Sequence, residues 1–170
     1  MLRDLIIIDG YNLLNSWKEI EDILRESFEH ARGIMIEKVL NHFSFLGKKA
    51  ILVFDAHLVK KGKESRERIG NIEIIYSAEG QTADMVIEKI CFELKDRYRV
   101  YVVTSDRTEQ DVIWASGGLR ISSREFIREI LARESEITNR KERCQHKNTR
   151  LETHLSGEIY EKLEKIRRHK

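Results

Sequence analysis

The stretch LIIIDGYN, residues 5–12, decides how this chain folds. Four consecutive aliphatic residues, three of them β-branched, indicate a strand buried on both faces, as found in the middle of a parallel sheet. Gly10 permits a tight turn, which places Asp9 at the carboxyl end of that strand, where open α/β sheets hold their sites. Asp9 and Asn12 would equally suit a turn and a helix cap. The stretch alone leaves both interpretations open.

Composition indicates a heavily charged cytoplasmic protein with no membrane association. Of 170 residues, 41% are hydrophobic and 35% charged, and the mean hydropathy is −0.49. No segment approaches the roughly 20 apolar residues of a spanning helix, and the N-terminus shows no secretory pattern. The chain has only two cysteines, Cys91 and Cys144, and they lie far apart in the sequence. This favours reduced thiols over a disulfide or a zinc site.

Charge is distributed unevenly along the chain. Residues 121–170 contain 13 Lys and Arg against 9 Asp and Glu, so this tail is basic while residues 1–120 are slightly acidic. A basic tail is typical of proteins with a polyanionic partner, and a solvated helix face gives the same count.

Apolar runs alternate with helical patterns along the chain. Helical spacing predicts one helix from Ser27 to Gly47 and a second from about Ala83 to Tyr98, capped by Thr82. Because strands that alternate with helices form right-handed crossovers, the fold class is α/β with a central, mainly parallel sheet. The predicted later strands are Ala50–Phe54, Ile72–Tyr76, Val100–Thr104 and a brief edge strand at Leu119–Ile121.

The segment from Leu58 to Asn71 is polar and basic, and we interpret it as a mobile surface loop. It would either contact phosphates or simply be solvated. Its basic residues are Lys60, Lys61, Lys63, Arg66 and Arg68.

The C-terminal part is predicted to be helical and basic. We expect a short helix at residues 110–115, a helix that begins at Ser122 or Ser123, a linker at residues 145–153 and a last helix from Ser156. The predicted domains are residues 1–135 and a helical extension, residues 136–170.

Four acids follow strands: Asp9, Asp55, Asp84 and Asp106. Parallel strands open their carboxyl ends on one edge, so these carboxylates would converge there and repel one another unless a cation lies among them. Oxygen ligands of this kind favour Mg²⁺ or Mn²⁺. Such a site suits phosphodiester hydrolysis, with a metal-activated water as the attacking group.

Two other classes that cluster Asp at strand ends are excluded. A receiver domain needs a Lys after its last core strand, where this chain has Ile121, Ser122 and Ser123. A haloacid-dehalogenase phosphatase needs a second Asp at the position that Tyr11 occupies.

Four ordered motifs, at residues 9–12, 54–60, 82–84 and 104–110, together resemble the YacP-type branch of the NYN domain family, relatives of PIN-domain nucleases. They are DGYN, FDAHLVK, TAD, and TSD followed by EQ, within residues 1 to about 135. The resemblance implies a PIN-like three-layer α/β/α fold and a metal-dependent endoribonuclease that cleaves mRNA in the ribosomal A site.

The resemblance also implies roles for individual residues. Asp9 and Asp84 would be the essential catalytic and metal-binding pair, with Asp106 as a further catalytic and metal-binding residue and Asp55 in support. Asn12 would position a ligand water or the phosphate. The basic loop and tail become candidate contacts to mRNA and to the ribosome. A catalytically silent RNA- or ribosome-binding regulator, and a free-standing nuclease for structured RNA, stay open as alternatives.

Overall fold

The structure is a computed structural model that describes residues 2–55, 64–106 and 115–154, with side chains described as far as residue 139. Its strands are β1 (Arg3–Asp9), β2 (Ala50–Phe54), β3 (Ser65–Ile69), β4 (Ile72–Tyr76), β5 (Tyr98–Val103) and β6 (Leu119–Ile121). Its helices are α1 (Gly10–Asn15), α2 (Glu21–Glu26), α3 (Phe28–Leu46), α4 (Ala83–Leu94) and α5 (Ser123–His154), with a 3₁₀ turn at Lys18–Ile20.

The described strands form one sheet in the order β3-β4-β2-β1-β5-β6. Every neighbouring pair is parallel except β3 and β4, which are antiparallel. Strand β1 lies between β2 and β5, so the aliphatic run of residues 5–8 does form an interior strand. The predicted α/β class with a mainly parallel sheet is confirmed.

Helices cover both faces of the sheet. Neighbouring residues of β1 point to opposite faces: Ile8 packs in the core with α3 and the start of α5, and Ile7 packs in the core with α4. Cys91 belongs to the α4 core and carries a free thiol; burial raises its pKa to about 12. The sheet therefore has a helical layer on each side, as the three-layer architecture requires.

The prediction of a loop from Leu58 to Asn71 is wrong for the second half of that segment. Residues 65–69 form β3, an antiparallel edge strand joined to β4 by the two-residue turn Gly70–Asn71. Gly70 has a φ of 55°, which glycine adopts readily. The strand is charged and mostly exposed, which is common at sheet edges. Its sequence therefore lacks the alternation of apolar and polar residues by which a strand is predicted.

Two further boundaries differ from the prediction. Helix α4 ends at Leu94, and β5 already begins at Tyr98. The linker predicted at residues 145–153 is helical, because α5 runs without a glycine or proline from Ser123 to His154. The predictions that fall on residues 56–63, 110–114 and 156 onward lie outside the described residues.

The chain divides into two compact units, residues 1–131 and 132–170. The two sheet cores belong entirely to the first unit. In the described part of the second unit, the backbone is helical through His154. No helix among the described residues is both long and apolar enough to cross a membrane.

Candidate active site

Asp9 ends β1 and caps α1 at the same time. Its Oδ1 accepts a hydrogen bond of 3.0 Å from the backbone N–H of Asn12. The helix cap suggested by the sequence is therefore real, and it holds the carboxylate at the carboxyl end of the sheet's interior strand. Capping and a functional role are compatible, because the hydrogen bond from Asn12 engages Oδ1 alone.

The Asp9 carboxyl group is difficult to ionise. It is 7% exposed, and its pKa is raised from 3.8 to about 6, mainly by burial. The negative charges of Asp84 and Asp106 contribute to this rise in pKa, whereas hydrogen bonds from the backbone of Asn12 and Tyr11 oppose it. Asp84 and Asp106 thus both lie within electrostatic reach of Asp9.

Asp84 and Asp106 approach Asp9 from different elements. Asp84 is exposed in the first turn of α4, which Thr82 caps by accepting a 3.3 Å hydrogen bond from the Met85 backbone N–H. Asp106 follows β5, and its backbone N–H donates to Thr104 Oγ1 at 3.1 Å. Both placements agree with the prediction that strand ends bring these acids together.

This set of charges could hold a hard cation. In the described part of the chain, no Lys or Arg is among the groups that shift the pKa of Asp9, so no cation there offsets the charge of its buried carboxylate. The same residues contain no group of three or more Asp, Glu, His or Cys side chains arranged to hold one metal ion together. Carboxylate oxygens are still the ligand type that Mg²⁺ and Mn²⁺ prefer, and one or two of them could hold such an ion with water completing its shell.

Asp55 lies beside this group but has other partners. Its Oδ1 accepts from Ser77 Oγ at 3.5 Å, and its backbone oxygen accepts from the Tyr11 hydroxyl at 3.3 Å. It is not among the groups that shift the pKa of Asp9. A supporting role for Asp55 stays a prediction.

Asn12 joins three elements at this edge of the sheet. Its Oδ1 accepts from the Ser105 backbone N–H and from Ser123 Oγ, both at 2.8 Å, and the Ser123 N–H donates to Ser105 Oγ at 3.1 Å. Because a backbone N–H can only donate, Oδ1 must face Ser105, and Nδ2 is left as a donor with no hydrogen bond among the described residues. Asn12 can therefore donate to a ligand from a fixed position.

Only some of the predicted RNA-contacting residues are among those that the structure describes. Lys60, Lys61 and Lys63 lie outside the described residues. Arg66 is paired with Glu64 at 2.8 Å and Glu73 at 3.5 Å. Arg68 lies towards the amino ends of the strands, where it lines a cavity of about 220 Å³ away from the carboxylates.

The sequence did not reveal the residues that support the site. Ser77, Ser105 and Ser123 hold the predicted side chains in place, and small hydroxyl residues near strand ends carry no distinctive pattern. Arg32, within α3, contacts the aromatic rings of Phe54 and Tyr76 near Asp55. An arginine in an amphipathic helix looks like part of a solvated face, so only the structure shows it.

Comparison with known proteins identifies the family. A sequence model of the YacP-like NYN domain matches residues 6–168. This chain belongs to that family. The YacP-like NYN match covers the whole carboxylate edge and extends past residue 135, and NYN domains are a nuclease family.

Relatives of this NYN chain are known from Bacillus subtilis. The chain is 38% identical over 166 residues to the uncharacterized protein YacP, covering 97% of each sequence. The crystal structure of Rae1 (YacP) matches with a TM-score of 0.72 and 37% identity over 97% of this chain and 95% of that one. A mutant of the same protein matches with a TM-score of 0.70 and 36% identity over 84% and 83% of the two chains. The PIN-like fold expected from the motifs is thereby confirmed.

Proposed function

We propose that this protein is a Mg²⁺- or Mn²⁺-dependent endoribonuclease that cleaves mRNA on the translating ribosome. The observation that carries the proposal is the buried Asp9 carboxyl group, whose pKa is raised by burial and by the charges of Asp84 and Asp106. A nuclease of this kind needs carboxylates whose ionised form is stabilised by a bound cation, and the acids at this edge of the sheet are candidates. We also propose that the protein acts in the cytoplasm, where its substrate is translated.

Asp9 and Asp84 would be the principal ligands of the cation, with Asp106 close by. A bound divalent ion supplies a more acidic water and neutralises charge on the phosphoryl oxygens. Asn12, held through Oδ1, directs its Nδ2 donor towards a ligand water or a phosphate oxygen. Ser77 orients Asp55 at the margin of the site.

Contacts to the ribosome are proposed for the basic parts of the chain. The tail, residues 121–170, has four more basic than acidic residues, and the segment from Lys60 to Arg68 adds five basic residues. Such clusters bind nucleic-acid backbones by displacing counterions. Of the two described cations of that segment, Arg66 is paired with two acids, so Arg68 is the better candidate for a phosphate contact.

The decisive experiment compares cleavage of a translated and an untranslated copy of one mRNA by the wild-type protein and by Asp84→Asn. We expect cleavage of the translated copy only, and loss of cleavage in the variant by at least about 100-fold. Equal cleavage of both copies would identify a free-standing nuclease. Wild-type rates for Asp84→Asn would refute the proposed chemistry.

A catalytically silent RNA- or ribosome-binding regulator is the second candidate. It is favoured by the lack of a three-residue metal cluster among the described side chains. Titration of Mn²⁺ into the protein by calorimetry separates the two functions. Heat that disappears in Asp9→Asn supports the nuclease, whereas no binding to the wild-type protein, together with intact RNA binding, supports the regulator.

A further inference from the structure

Arg32 is held over a stack of aromatic rings at the carboxylate edge of the sheet. Its guanidinium carbon lies 6.0 Å from the ring centre of Phe54 and 5.9 Å from that of Tyr76. The two rings stack on each other with centres 5.6 Å apart and planes 18° from parallel. Cation–π contacts of this kind fix the position of a positive charge that would otherwise move freely.

The donors of this guanidinium are unused. The Arg32 side chain is 20% exposed, and its ion-pair partner is Glu29, at 3.8 Å, which is too long for a hydrogen bond. Glu29 is itself 85% exposed, so water screens the pair and little attraction remains. None of its nitrogens is a buried atom without a partner. The five N–H groups form no hydrogen bond to the described residues and so stay open to water or to a ligand.

The site of this charge adjoins the proposed catalytic carboxylates. The Phe54 ring lies so close to Gly10 that a Cβ there would be 2.4 Å from Phe54 Cε1. The ring of Tyr11, two residues after Asp9, packs against Phe54 with centres 5.4 Å apart. One aromatic ring therefore separates the guanidinium from the turn that carries Asp9.

We propose that the Arg32 guanidinium binds a backbone phosphate of the RNA substrate next to the phosphate that is cleaved. This inference rests on the proposed ribonuclease function and adds a substrate-positioning residue to it. The fork of N–H donors matches two phosphate oxygens, and the aromatic stack leaves the fork pre-oriented, so little freedom is lost on binding. Arg32 binds the strand and does not act on the reacting atoms.

The test measures how salt affects the binding of single-stranded RNA. All measurements use the full-length protein carrying Asp84→Asn in the presence of a chelator, so that the RNA is not cleaved. In this background, Arg32→Gln is compared with Arg25→Gln. Arg25 is a matched control because it is exposed and paired with Glu21 on α2. We expect Arg32→Gln to weaken binding about tenfold. It should also make the slope of log affinity against log salt shallower by about 0.7, the value for one phosphate contact on a single strand.

The control variant should leave both quantities unchanged. A structural role for Arg32 would leave the slope at its wild-type value even if the affinity fell, and that result would overturn the inference. If no RNA bound to the Arg32-containing protein at all, the proposed function itself would fail, so the two failures are distinguishable.

Scanning the RNA keeps the inference testable if Arg32→Gln does not fold. In the Arg32-containing protein, single phosphates of the RNA are replaced by neutral methylphosphonates. One position beside the cleaved bond should weaken binding about tenfold. Arg32→Lys, which keeps the charge but loses the fork, should retain the salt slope and lose affinity. The absence of any sensitive position beside the cleaved bond would refute the phosphate contact.

Discussion

At the scale of single residues, Asp9 is held in a state that costs stability. Its pKa is about 6 in the folded protein and 3.8 ordinarily. Between these values the folded chain binds more protons than the unfolded chain, so stability falls as the pH rises through this window. Above it, the folded protein bears the full cost of an ionised, buried carboxylate.

Replacing Asp9 with Asn should therefore stabilise the metal-free protein at neutral pH. Asn keeps the helix cap and carries no charge, and the raised pKa corresponds to at most about 3 kcal/mol. Urea unfolding in chelator at pH 7.5 and pH 4 measures the effect. The gain should appear at pH 7.5 and nearly vanish at pH 4. A variant less stable than wild type at both pH values would contradict the burial argument.

Asn12 should matter for stability as well as for ligand contact. Asn12→Ala removes the acceptor shared by Ser105 and Ser123, and Ser123 is completely buried. The unpaired donors should cost about 2 kcal/mol of unfolding free energy. Asn15→Ala, exposed at the end of the same helix, is the matched control and should change little. Equal effects of the two substitutions in urea unfolding would show that the hydrogen bonds to Asn12 contribute nothing.

At the scale of elements, we expect alanine substitutions at two glycines to change stability in opposite directions. Gly33 lies within α3 with nothing within 4 Å of an added Cβ, so Gly33→Ala should stabilise the protein by about 1 kcal/mol. Gly70 has a φ of 55°, and an added Cβ would lie 3.0 Å from Leu40 Cδ1. Gly70→Ala should therefore destabilise the β3–β4 hairpin by about 1 kcal/mol. Thermal unfolding measures both, and shifts of the same sign would contradict this account of the turn.

The sequence predicts buried elements better than exposed ones. The strands β1 and β2 have continuous apolar runs because they are covered on both faces, and β4 is apolar apart from Glu73. Strand β3 was missed because its charged, exposed residues serve a sheet edge, although the Gly70–Asn71 pair before an apolar run is a hairpin signal. The length of α5 was underestimated because polar residues can extend a helix with no apolar face to reveal it.

At the scale of the whole molecule, topology made the meeting of the candidate site's acids predictable. Acids far apart in sequence meet because parallel strands share one carboxyl edge, and Asp9, Asp84 and Asp106 follow that rule. The rule does not say which side chains each acid contacts, so the Ser77 contact of Asp55 was not foreseen. The position of Arg32 was not predicted for a similar reason, since its aromatic partners come from two separate strands.

The central claim is that the Asp9 carboxylate takes part in metal-dependent RNA cleavage. The most direct test measures the cleavage rate of translated mRNA in Mg²⁺ by Asp9→Asn, beside the wild-type protein and the exposed control Asp96→Asn. We predict a loss of at least about 100-fold for Asp9→Asn and a wild-type rate for Asp96→Asn. A folded Asp9→Asn protein that cleaves at the wild-type rate would contradict the account.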